Sequence, residues 1–190
     1  IFMTNGAASS MAHALRAVTK ASDEVITFAP YFPEYAQYVN QTGAVLKVVE
    51  AQLENLQVNF EAFKQMLNPK VNAVIINTPN NPSGIAYSKE TIIQLTSILK
   101  EKEIEYGHEI FIISDEPYRE IIFAGNEEVY PSHFYDNTLS CYSFSKSLSL
   151  PGERIGYIAV NPKAKDADIL VAMFGLISRG IGHHCPARSI

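Results

Sequence analysis

Cysteine is scarce in this chain. Cys141 and Cys185 are the only two in 190 residues, and they form neither a disulfide framework nor a paired metal-ligand spacing. That usage is compatible with a reducing compartment, and the expected location is the cytoplasm. A basic surplus is also missing: 15 Lys and Arg stand against 20 Asp and Glu, a formal net charge of -5. Neither nucleic acid nor an anionic membrane surface is therefore an expected partner. No apolar run approaches the roughly 20 residues of a membrane span, and the first residues lack the charged-then-apolar plan of a secretory signal. A G-x-G-x-x-G fingerprint and a Walker loop are absent too. What is present, 47% hydrophobic and 18% charged residues, is the composition of a water-soluble globular chain. At this length it fits one domain with a sizeable core, residues 1–190.

The ends are abrupt. "IFMTNGAASS" starts inside an apolar run without an initiator methionine, and "HHCPARSI" stops without a cap or polar tail. The expectation is a piece of a longer protein.

Short apolar or β-branched runs recur at Ile1–Thr4, Val25–Phe28, Val45–Val49, Ala73–Ile76, Ile110–Asp115, Leu139–Ser143 and Ile155–Val160. Most are continuous rather than alternating, as in strands buried on both faces. Helical patterns lie between several of them: Ser9–Thr19, Tyr35–Gln41, Phe60–Leu67 after a possible N-cap at Asn59, and Lys89–Lys102 after Ser88. The alternation predicts an α/β fold, a three-layer α/β/α sandwich around a mainly parallel seven-stranded sheet. Only eleven residues, including Pro151 and Gly152, separate Ser143 from Ile155. A parallel crossover needs a dozen or more, so the last strand is expected to run antiparallel.

In open α/β sheets ligands gather beyond the carboxyl ends of strands, and five strand ends carry residues with chemistry. "TNGAASS" opens a helix with Gly6, Ala7 and Ala8, small residues that let an anion approach unpaired N–H groups. "APYFPEY" offers Tyr31, Phe32 and Tyr35, rings that can cover the sheet edge or stack on a planar heterocycle. "NTPNNPSG" is a prolyl turn in which Pro82 can hold the Asn81 amide toward a ligand oxygen. "SDEPYREIIF" ends a buried strand on Asp115, where a carboxylate is costly without a cationic or hydrogen-bonding partner; Tyr118 follows three residues later. Taken alone, Asp115 is also readable as a helix cap or, with Glu116, a metal ligand. "SFSKSLSLPGER" supplies Ser143 and Ser145 as phosphate donors, Arg154 as a two-pronged clamp, and Lys146 as an amine. An imine-forming Lys146 must be neutral, which requires desolvation or neighbouring positive charge.

Together these describe a ligand with a phosphate, a nitrogen heterocycle, a phenolic oxygen and an aldehyde, and the motifs resemble those of a known family. "NNPSG" is similar to the N-P-[ST]-G loop, "SDEPY" to the D-x-x-Y, and "SFSKSLSLPGERIGY" to the S-x-x-K followed by R-[IV]-G of the class I/II aminotransferases. Those are fold-type I enzymes related to aspartate aminotransferase, and the likeness covers essentially the whole chain. It implies the large, cofactor-binding domain of such an enzyme, pyridoxal 5'-phosphate as cofactor, and transfer of an amino group between an L-amino acid and a 2-oxo acid. By the same resemblance Lys146 would form the internal aldimine and then act as the base. Asp115 would pair with the ring nitrogen, while Tyr118 and Asn81 would hydrogen-bond the ring oxygen. Phe32 would stack on the ring in a place where tryptophan is common. Gly6, Ala7, Ala8, Ser143, Ser145 and Arg154 would hold the phosphate. No metal is implied.

The resemblance also implies an N-terminal segment, a C-terminal small domain with the arginine that grips substrate, and a homodimer, none supplied by these residues; the piece by itself would turn over little. Arg179 and Arg188 fall outside the matched motifs, and "GHHC" at His183 to Cys185 lacks metal-site spacing. Two other functions stay open on the same scaffold: another pyridoxal phosphate enzyme (lyase, decarboxylase or acyltransferase), or a non-catalytic cofactor-binding regulatory domain.

Overall fold

A computed structural model describes residues 1–123, 125 and 127–182. Its strands are β1 (Phe2–Thr4), β2 (Glu24–Phe28), β3 (Val45–Val49), β4 (Val71–Asn77), β5 (Phe111–Asp115), β6 (Thr138–Ser143) and β7 (Gly156–Val160). Each predicted run becomes a strand, with no end moved by more than two residues. The helices are α1 (Ala7–Val18), α2 (Tyr35–Asn40), α3 (Phe60–Met66), α4 (Lys89–Tyr106), α5 (Phe144–Ser147) and α6 (Ala167–Ile181). Both predicted N-caps are formed: Asn59 Oδ1 accepts from Ala62 N, and Ser88 Oγ accepts from Thr91 N. Helix α4 runs four residues beyond its predicted end, to Gly107, whose φ of 74° supplies the left-handed C-terminal turn. Two helices, α5 and α6, were not predicted. The signal for α6 was present, since its buried residues Leu170, Phe174 and Ser178 recur at every fourth position.

The sheet order is β1-β7-β6-β5-β4-β2-β3. Neighbours from β6 to β3 are parallel, and β7 runs antiparallel to both β6 and β1, as its short connection predicts. Successive strand residues face opposite cores. Ile26, Val74, Ile76 and Ile112 join Phe63, Ile92, Leu95 and Leu99 of α3 and α4 on one side. Val25, Ala73, Ile75 and Ile113 join Met11, Leu15 and Phe174 of α1 and α6 on the other. Both faces are thereby dry, which accounts for the continuous apolar runs and makes a three-layer sandwich.

The direction of β7 positions the site. Strands β1, β2, β4, β5 and β6 all end at one edge of the sheet, and β7 begins there. Gly156 is in register with Ser143 on one side and Thr4 on the other. Among the described residues, no helix is long and apolar enough to cross a membrane. The stretch His183–Cys185 and Arg188 lie outside the described residues.

Candidate active site

A cleft of about 350 Å³ opens at that edge, and ten of the eleven predicted site residues line it: Ala7, Ala8, Phe32, Asn81, Asp115, Tyr118, Ser143, Ser145, Lys146 and Arg154. Gly6 sits behind the wall. Its φ is 85°, and a Cβ there would come within 3.1 Å of Arg154 Nη2 and 3.7 Å of Ser143 Oγ. Glycine therefore allows the backbone, the guanidinium and the serine to converge.

The turn around Gly6 is tied down locally. Ser10 Oγ and Thr4 Oγ1 lie 2.7 Å apart, and each is 3.3 Å from Gly6 O. Ser10 Oγ also reaches the Tyr157 carbonyl of β7 at 3.1 Å. Helix α1 then starts at Ala7 with no side-chain cap and no acidic residue in its first turn. Its N–H groups stand beside Arg154, whose Nη2 is 3.4 Å from Asn5 O and Nη1 3.2 Å from Pro151 O. Ser143 Oγ caps α5 from the Ser145 N–H at 3.1 Å and donates to Ser145 Oγ at 2.7 Å. Two hydroxyls, a guanidinium and a helix start make a cradle for a dianion.

Asp115 occupies the other end of the cleft, 7% exposed. Its Oδ2 accepts a 2.5 Å hydrogen bond from the Tyr35 hydroxyl, and its Oδ1 is buried with no hydrogen-bond partner. Burial pushes the carboxyl up to about 7, the Tyr35 hydrogen bond opposes this, and the adjacent Glu116 adds to it. Such a group calls for a cationic N–H donor at Oδ1. Tyr35 is thus not an edge cover. It is buried at 1%, with Phe32 packed edge-on against it (5.8 Å, 75°) and Tyr31 stacked at 6.4 Å.

The loop after β4 is anchored by a residue the sequence reading passed over. Asn77 Nδ2 donates to Asp115 O at 2.8 Å, and its Oδ1 accepts from the Asn81 N–H at 2.7 Å. Asn81 Nδ2 points at the Tyr118 hydroxyl, 3.5 Å away, so the two predicted donors do lie together. The Asn81–Pro82 peptide is cis. Lys146 is exposed in the single turn α5, with Nζ 5.6 Å from the centre of the Tyr118 ring. Among the described residues no group of three or more His, Cys, Asp and Glu could hold a metal.

Comparison with known proteins locates the likeness. The family described as aminotransferase class I and II matches residues 1–185. Aspartate aminotransferase of Thermotoga maritima is 32% identical over 170 residues, covering 88% of this chain and 44% of that protein. That of Bacillus sp. (strain YM-2) is 34% identical over 166 residues, covering 85% and 40%. Among solved structures, an amino transferase from Eubacterium rectale superposes with a TM-score of 0.93 at 50% identity, covering 96% of this chain and 46% of that one. Aspartate aminotransferase from Thermus thermophilus with maleate gives 0.82 at 27% identity, covering 95% and 45%. The chain spans less than half the length of these relatives.

Proposed function

The chain belongs to the class I and II aminotransferases, and we propose that it is the cofactor-binding large domain of one that exchanges an amino group between an L-amino acid and a 2-oxo acid. The cofactor would be pyridoxal 5'-phosphate, and the residues present fit it. The observation that carries this reading is the buried, unpartnered Oδ1 of Asp115 in the wall of a cleft that also holds a free-standing amine and an anion cradle.

In this reading the phosphate is bound by the Ala7 and Ala8 N–H groups, Ser143, Ser145 and Arg154. Asp115 accepts from the ring nitrogen and keeps it protonated. Tyr118 and Asn81 hold the ring oxygen, and Phe32 covers one face. When bound, the cofactor supplies the electron sink for the pair left as the substrate α-carbon loses its proton. Lys146 would hold the cofactor, and its Nζ would take that proton as general base. The Tyr35 hydrogen bond occupies Oδ2 and leaves Oδ1 to accept from the ring nitrogen.

The test uses the full-length protein with pyridoxal phosphate. Borohydride should attach the cofactor to Lys146, and a reactive amino acid should give one equivalent of oxo acid per site before any second oxo acid is added. Label on another lysine, or release of ammonia in place of that burst, overturns the proposal. A panel of amino acids in the same experiment names the substrate; aspartate comes first, since two of the relatives are named aspartate aminotransferases.

A further inference from the structure

Arg119 does not line the cleft, yet its guanidinium joins the segment that carries Asp115 and Tyr118 to β6 and β7, the strands on either side of the Lys146 turn. Within its own segment, Nη1 is 3.3 Å from Glu116 Oε2 and Nε is 3.2 Å from Glu120 Oε1. On β7, Nη2 donates to the Tyr157 hydroxyl at 2.8 Å, one residue beyond Gly156. On β6, its Cζ lies 4.0 Å from the centre of the Tyr142 ring, close enough for a cation–π contact.

Tyr142 passes this on to the lysine turn. Its hydroxyl donates to Glu120 Oε1 at 2.7 Å and is 2.6 Å from Ser147 Oγ, the residue after Lys146. Phe144, which opens the turn, packs edge-on against Tyr142 at 5.2 Å and tilted against Tyr157 at 6.0 Å. Helix α5 is four residues long. A single turn does not hold its own orientation in water, so these contacts orient it.

We propose that Arg119 is a positioning residue: through Tyr142 and Glu120 it locks the Lys146 turn to the segment bearing Asp115 and Tyr118. The reach of the Lys146 amine toward those two residues is set by that lock. The inference rests on Lys146 being the cofactor lysine.

Deleting the guanidinium would take the cation from Glu116, whose side chain is 3% exposed and would keep only hydroxyl partners such as Ser140, so the informative change is Arg119→Lys. It keeps the charge and loses the planar fork and the stack. Tyr142→Phe is the second variant: it keeps the ring beneath the guanidinium and drops only the hydroxyl contacts to Glu120 and Ser147. Both are made in the full-length holoenzyme after borohydride mapping of the wild type. The readouts are the pH titration of the lysine-bound cofactor's visible absorbance, and kcat and KM for an amino acid. Misplacing the amine should move the titration midpoint by roughly half a pH unit or more and lower kcat roughly tenfold with KM within about threefold. Unchanged titration and kcat in both variants, or a change confined to thermal stability, overturns the inference. Should Arg119→Lys not fold, Tyr142→Phe decides by the same criteria. A wild-type label away from Lys146 removes the underlying assignment; a label on Lys146 with indifferent variants removes only the role of Arg119.

Discussion

The Tyr35 hydroxyl and the Asp115 carboxylate, 80 residues apart in sequence, meet in a buried hydrogen bond of 2.5 Å. The bond occupies Oδ2 and leaves Oδ1 buried without a partner. It also favours the ionised carboxyl against the burial that opposes it, so this tyrosine governs how readily Asp115 carries charge.

Without cofactor, Asp115 should titrate at about 7. Tyr35→Phe removes a hydrogen bond to the charged form and should raise that titration by about one pH unit. Carboxyl carbon chemical shifts followed against pH in wild type and variant check it. A lowered or unchanged titration in Tyr35→Phe would contradict the relationship.

Stability follows with a definite sign. The folded-state value, about 7, lies above the ordinary 3.8, so between them the folded chain binds more protons than the unfolded one. Stability from this group is complete below about pH 4 and is lost as pH rises through about 7, a change on the order of 4 kcal/mol. Asp115→Asn in the cofactor-free protein should flatten that slope. Urea unfolding at about pH 5 and about pH 8 measures it, and an equally steep slope in the variant would refute the assignment.

Two glycines should behave differently. A Cβ at Gly156 would strike the Tyr142 carbonyl and come 2.8 Å from Gly6 Cα, both backbone, so β7 must move away from its neighbours. Gly156→Ala should cost roughly 3 kcal/mol or more. At Gly6 the added methyl meets the end of the flexible Arg154 side chain, and a φ of 85° with a ψ of 177°, a region essentially reserved for glycine, costs roughly 2 kcal/mol. Gly6→Ala should fold and bind pyridoxal phosphate several-fold more weakly, by roughly 1 kcal/mol or more. Denaturation and cofactor titration separate the two, and equal stability loss would contradict the backbone contact.

Asn77→Ala should lower stability by about 2 kcal/mol, because it leaves the Asp115 carbonyl and the Asn81 N–H without their buried partner. Amide exchange at Asn81 should quicken relative to the Ile75 amide within β4. Unaltered protection of Asn81 would show that its loop is held by something else.

Much of the site was legible because its residues stand at strand ends, where an apolar run stops and a polar residue follows. Asp115 and Ser143 announce themselves in this way, and Lys146 follows close behind Ser143. Asn77 ends β4 by the same pattern, yet Asn81 beside it carried the recognisable loop. Arg119 stands within "SDEPYREIIF" with no local sign of its partners, since Tyr142 and Tyr157 belong to strands far along the chain. Tyr35 read as one of three aromatics in a row, and nothing local distinguishes it from Tyr31.

From sequence alone came the strands, most helices, the antiparallel sense of β7 from its eleven-residue connection, and the set of groups at the strand ends. These follow from local physics: apolar runs, caps, turn residues and loop length. Only the tertiary structure decided that β7 lies between β6 and β1. That placement sets Gly156 against Thr4 and Ser143 and delivers Arg154 to Gly6. It also decided that Tyr35 meets Asp115 and that Arg119 rests on Tyr142. Such pairs depend on sheet order and register, which are set by the packing of both cores together and not by the periodicity of any one segment.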